Sequence, residues 1–183
     1  MAHDSTATDP VPSPDQVDEI TEAWRRERPA TPVESIQVIT RITRLAKLFA
    51  DDRRRTLGQL GIDSATLDLL ATLRRAGPPY QLSPGQLAQR ALVSAGAVSQ
   101  RVARAQRSGL VARQPAGGDG RGVLVTLTAA GHALVERTVD ELLRHEETLL
   151  APLTAPQRKQ LAATLRALLT QLSAARSEPP AGH

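Results

Sequence analysis

The chain has no cysteine, one phenylalanine, one tryptophan and one tyrosine, and only two of its 23 basic residues, Lys47 and Lys159, are lysines. Without cysteine there is no disulfide framework and no thiolate zinc site, which suits a reducing compartment. Three aromatics cannot build a base-stacking platform, which argues against single-stranded RNA or DNA as a target. No stretch approaches the roughly 20 apolar residues that span a bilayer. The first residues mix Asp, Ser, Thr and Pro and offer no apolar run for a signal peptide. The expectation is a soluble cytoplasmic protein with no membrane partner.

The motifs of common enzymes are also missing. The glycines between 117 and 122 lead into an extended segment, not a helix, and lack the spacing of a dinucleotide loop. There is no Walker loop, serine elbow or cysteine nucleophile. His132 and His145 fall about 220° apart around a helix, so no metal cluster is predicted. Asp51-Asp52 and Glu146-Glu147 are adjacent on helices and diverge around the axis. The chain is expected to be no enzyme and to carry no cofactor.

What is present is a 40% hydrophobic chain whose core must come from Leu, Ala, Val and Ile. Leu/Ala-rich segments favour helices. The preference for Arg over Lys suits phosphates and guanine edges, although a GC-rich genome would produce it too. The positive charge is local. Residues 64–128 hold eight arginines (74, 75, 90, 101, 104, 107, 113 and 121) against two acids, Asp68 and Asp119. The flanks are acidic or neutral. A basic middle third is an electrostatic footprint for a polyanion.

Residues 1–14 are polar with three prolines and read as a tail. Residues 15–28 form a short amphipathic helix ended by Pro29, and residues 33–57 a longer one broken by Gly58 and Gly61. Asp63 or Ser64 caps a helix running to about Ala76. Ser83-Pro84-Gly85-Gln86 is a capping box that opens a helix ending near Leu92. Ser94 caps the next helix, which Gly109 stops. Residues 110–114 and 123–128 are strand-like, with a turn-rich loop between them. Residues 129–150 are helical, and Thr154-Ala155-Pro156-Gln157 opens a last helix with Leu161, Leu165, Leu168 and Leu172 at coiled-coil spacing. The order helix, helix, hairpin is that of a winged helix-turn-helix, so the fold class is mainly α with a small β-hairpin wing. The predicted division is 15–62 for N-terminal helices, 63–128 for DNA binding, 129–176 for C-terminal helices and 177–183 for a tail. The apolar terminal helices either dimerise or cap the chain internally.

The second helix of the pair has two faces. With Val98 at 0° and about 100° per residue, Val102 and Ala105 share its side, while Gln100, Ala103 and Arg107 point away near 140–200°. A small outer face enters the major groove of double-stranded DNA. Gln100 suits adenine, Arg104 suits guanine, and Ala97 or Ala103 suits a thymine methyl, while Arg107 joins the DNA-binding set on the same outward face. Ser94, Ala95 and Ser99 complete the DNA-binding set around the helix start, where free N–H groups hold phosphate. Arg121, near the tip of the wing loop and oriented by Asp119, suits a narrow minor groove. Arg101 falls near 300°, on the flank of the core face. It either pairs with an anion between helices or snorkels to solvent.

The stretch from Val33 to Leu172 resembles the MarR family of dimeric winged-helix transcriptional regulators. The resemblance rests on Asp119-x-Arg121 followed by Val125-x-Leu127-Thr128-x-x-Gly131. Trp24 to Pro29, Leu67 to Tyr80 and Leu82-Ser83-Pro84 are similar to the urate-responsive subgroup (the HucR, PecS and TamR relatives), which has an extra N-terminal helix. That subgroup's ligand signature matches Trp24, Asp68, Arg101 and Arg113. The resemblance implies a homodimeric repressor released from a pseudo-palindromic operator by a small anion, urate or a tricarboxylate. Trp24 and Arg113 would contact the ligand, Asp68 would be repelled as the anion enters, and Arg101 would relay the change. The reading helix departs from the subgroup, with Gln100 for Asn, Ala103 for an acid and Ala105-Gln106 for Leu-Glu. The rival reading is a helical interaction protein of the same fold without specific DNA readout.

Overall fold

The computed structural model describes residues 13–115 and 122–177. Along them run α1 (Gln16–Glu27), α2 (Glu34–Gln59), α3 (Ser64–Arg75), β1 (Gln81–Leu82), α4 (Pro84–Ala91), α5 (Ala95–Arg107), β2 (Val111–Pro115), β3 (Val123–Leu127), α6 (Ala129–Leu149) and α7 (Ala155–Ser177). By internal packing they fall into two units, one ending at Thr56 and the other beginning at Leu57.

In the N-terminal unit, Asp15 caps α1 by accepting from the Val17 and Asp18 N–H groups, and Asp18 returns the bond to the Asp15 N–H. Arg41 of α2 then reaches both carboxylates at 2.9 Å. Its guanidinium holds the Asp15 carboxyl below the usual carboxylate range. The Asp15 N–H, and after it Arg41, do the same for Asp18. Buried Thr21 accepts a 2.7 Å bond from Gln37 and donates to the Val17 carbonyl. Arg25 joins Glu22 to Glu34. Polar ties thus fasten α1 to the start of α2.

Gly58 does not break the second helix, contrary to expectation. The helix runs to Gln59, and the chain turns at Gly61, whose φ of +72° is open to glycine. Glycine inside a helix costs about 1 kcal/mol but removes no hydrogen bond. Leu57, 1% exposed, anchors that last turn in the core.

The C-terminal unit is a winged helix-turn-helix. Each helix starts at a side chain that satisfies its free N–H groups: Asp63 for α3, Ser83 with Gln86 for α4, Ser94 for α5 and Thr128 for α6. Thr154 and Gln157 exchange bonds at the start of α7. Leu67, Leu70 and Leu73 of α3, Val98, Val102 and Ala105 of α5, and Val135 and Leu142 of α6 close on one core. α3 lies against α4, α5 and α6. The sheet is antiparallel in the order β1-β3-β2, with Leu82 opposite Val125 and Val111 opposite Leu127. All four are buried. β1 is unannounced in the sequence, because two residues carry no period. Pro115 joins β2 opposite Val123, where an edge strand tolerates the missing N–H.

Most of the apolar seam of α7 stays uncovered. Leu161, Leu165 and Leu172 are each more than two-fifths exposed, as are Leu169 beside the seam and Leu143 of α6, while Leu168 is half-buried. Arg158 and Glu147 pair between the start of α7 and the end of α6. Among the described residues no helix is long and apolar enough to cross a membrane.

Candidate nucleic-acid interface and effector site

The two faces expected of α5 are present. Val98, Val102 and Ala105 are at most 2% exposed, while Ser94, Ala95, Ser99, Gln100, Arg104 and Arg107 are exposed and Ala97 is half-buried. The Ser94 hydroxyl accepts the Ala97 N–H at 3.2 Å, which leaves its own proton to donate. Arg107 folds back on the Ala103 carbonyl at 3.4 Å. Arg104 lies 3.6 Å from Asp63, the cap of α3. Burial works against ionisation of Asp63, but the Thr66 N–H and hydroxyl together with Arg104 outweigh it and hold the carboxyl below its ordinary value. Asp63 therefore stays charged and orients Arg104. In the sequence Asp63 is recognisable only as a cap, since no spacing rule links it to Arg104.

Asp119 and Arg121 lie outside the described residues. The strands that lead to them are in register up to Pro115 and Val123.

Of the four residues expected to bind the effector, Asp68 of α3 and Arg101 of α5 come together, 3.9 Å apart. Arg101 is mostly buried and Asp68 half-exposed. The flank position of Arg101 thus resolves as a pair with a carboxylate, at the outer limit of an ion pair. Arg113 on β2 stands opposite Val125, at a position of the strand that alternates with Val111 onto the same face, and is exposed. Trp24 lies on α1 in the N-terminal unit and is 49% exposed.

A second cluster escaped sequence reading. Arg74 of α3 bonds Glu136 of α6 at 3.0 Å and lies 4.9 Å over the Tyr80 ring, whose centroid is 4.5 Å from that of His132 with the two planes nearly perpendicular. These residues are scattered along the chain, so only the fold joins them. Beside them, Ala71, Arg75, Val139 and Asp140 border a cleft of about 450 Å³ between α3 and α6. Among the described residues no group of His, Asp or Glu is arranged to hold a metal ion.

The model of the MarR family matches residues 60–122, which span α3 to the wing. The chain is also 33% identical over 150 residues to the HTH-type transcriptional regulator PecS of Dickeya dadantii, covering 82% of this chain and 90% of that protein. This chain belongs to the MarR family. An HTH-type transcriptional repressor of Mycobacterium tuberculosis, Rv2887, is 33% identical over 112 residues, covering 61% of this chain and 78% of its own. Among solved structures, the MarR family regulator Sco5413 of Streptomyces coelicolor has a TM-score of 0.63 at 26% identity, covering 81% of this chain and all of that one. As a MarR protein the chain is a DNA-binding transcriptional regulator, and members of this family are transcription factors, not enzymes. The MarR wing motif also gains a physical reason. Thr128 donates its hydroxyl to the Gly109 carbonyl at 2.7 Å and accepts the Gly131 N–H, which ties the end of α5 to the start of α6.

Proposed function

We propose that this MarR protein is a homodimeric repressor that leaves its operator when a small anion binds. The observation that carries the reading is α5 itself. Its outer face presents Ser94, Ala95, Ala97, Ser99, Gln100, Arg104 and Arg107, while its flank presents Arg101 to Asp68. One rigid helix thus serves both the DNA face and a loosely held ion pair. An anion that repels Asp68 and attracts Arg101 and Arg113 pulls on the reading helix. A switch of this kind requires about 1–3 kcal/mol of coupling.

Residues 63–128 form the DNA-binding domain in this proposal, with Asp119 and Arg121 at the wing. Residues 15–62 and 129–176 supply dimerisation in this proposal, and Trp24, in the first of them, is assigned to the ligand by the resemblance. The uncovered Leu161, Leu165, Leu169 and Leu172 support a partner chain on α7. The likeness to the transcriptional regulator PecS supports the PecS-type resemblance, and the mycobacterial relative named a repressor supports the sign of regulation. The regulator acts in the cytoplasm, on the nucleoid when bound to DNA.

The test is binding to the DNA upstream of its own coding sequence at about 0.15 M salt, where the Debye length is about 8 Å. Urate, citrate and aconitate are then added separately to the complex. Release by urate alone is the expected result. Release by a tricarboxylate alone assigns that ligand class instead. Steep salt dependence with no preference for the upstream DNA overturns the operator reading and favours the interaction protein.

A further inference from the structure

Leu92 closes α4 and stands two residues before the cap of α5, at the turn of the helix-turn-helix. Its backbone is left-handed, with φ 54° and ψ 42°, and its side chain is 91% exposed. Both features are unfavourable. A left-handed backbone crowds the Cβ of every residue except glycine, and an exposed leucine forfeits its burial. The turn needs neither. The Leu92 and Val93 N–H groups both bond the Ala88 carbonyl, and Ala88 and Val93 pack against the core without Leu92. Glycine or asparagine would form the same helix end at less cost. Tyr80, also left-handed, differs because its ring is packed between Arg74 and His132.

Non-glycine residues held in this conformation gather at functional sites. The surroundings of Leu92 indicate which function. Exposed Arg90 precedes it and exposed Ser94 and Ala95 follow it, so Leu92 stands two residues from the start of the helix proposed to read bases. Arg104 and Arg107 make the same helix basic. Leu92 is the one large, fully exposed apolar side chain beside this basic reading surface, whose other apolar groups are alanines, and its apolar complement in the major groove is the 5-methyl group of thymine.

We infer that Leu92 is a specificity-determining residue that sets its side chain against a thymine methyl in each half-site. This inference rests on the operator reading above and adds a contact to it. The test uses Leu92→Gly and Leu92→Asn, both of which suit the left-handed turn. Each full-length variant is melted and then titrated with the upstream duplex, a shuffled duplex, and the upstream duplex with every thymine replaced by deoxyuridine. The expected variants melt at or above the wild-type temperature. They bind the upstream duplex about tenfold more weakly, in the range of one lost base contact, and the shuffled duplex unchanged. On the uracil duplex the gap between wild type and variants closes. Variants that bind the upstream duplex as tightly as wild type overturn the inference while leaving the operator reading in place. So does a gap that persists undiminished on the uracil duplex. A wild type with no preference for the upstream duplex overturns both.

Discussion

Gly131, in the first turn of α6, lies so close to Leu110 that a Cβ added to it would overlap the Leu110 carbonyl oxygen. The same Cβ would stand 3.1 Å from the carbonyl carbon and 3.2 Å from the Leu127 side chain. Backbone cannot yield as a side chain tip can. Gly131→Ala therefore forces α6 away from the turn that ends α5, and the expected loss is about 1–3 kcal/mol of stability. Thermal unfolding checks it. Gly58→Ala is the control, since nothing lies within 4 Å of a Cβ there and the helix gains propensity.

The contrast between these glycines marks what the sequence disclosed. Caps, stripes and the two faces of α5 were legible because each depends on residues three or four apart. Gly58 misled because a glycine at a helix end and one inside a helix look alike without the tertiary anchor at Leu57. β1 was invisible at two residues. The resemblance put Asp68 and Arg101 in one signature without pairing them, and the flank position of Arg101 followed from helix geometry alone. The Arg104–Asp63 and Arg74–Glu136 pairs join separate elements, so no periodicity could announce them. Leu92 was read only as the end of a helix, because exposure and a left-handed backbone are properties of the folded chain.

Arg104 tests the reading face. It is exposed, and Asp63 holds it at 3.6 Å. Arg104→Ala is expected to weaken operator binding by about 1–3 kcal/mol if the guanidinium meets a guanine edge. Binding to shuffled DNA falls less. Equal losses on both duplexes would reassign Arg104 to a phosphate. Asp63→Asn keeps a side chain fit to cap α3 while removing the counter-charge, so shuffled DNA is bound at least as tightly as by wild type.

Asp68 tests the effector site. A half-exposed carboxylate 3.9 Å from its partner is a weak pair, worth about 0–1 kcal/mol. Asp68→Asn should leave the melting temperature and operator affinity close to wild type. Its effect is expected in the release curve. With no carboxylate to repel, anion entry no longer moves Arg101, and the concentration of urate needed for release rises several-fold. An unchanged release curve would remove Asp68 from the switch.

Acid should loosen the tie between α1 and α2. Asp15 and Asp18 both titrate below the ordinary carboxylate value, chiefly through Arg41 for Asp15 and through the Asp15 N–H and then Arg41 for Asp18. A carboxylate depressed in the folded state stabilises it above the unfolded value of about 3.9. That contribution is lost as pH falls through the lower folded value, and it is flat near neutrality. Trp24 is the single tryptophan and lies on α1, so its fluorescence reports this helix alone. The expected wild-type signal is constant from pH 7 to about 4 and changes below. In Arg41→Ala the depression weakens and the change begins at higher pH. A wild-type transition near pH 6 would instead implicate a histidine and break the assignment of this tie to the two aspartates.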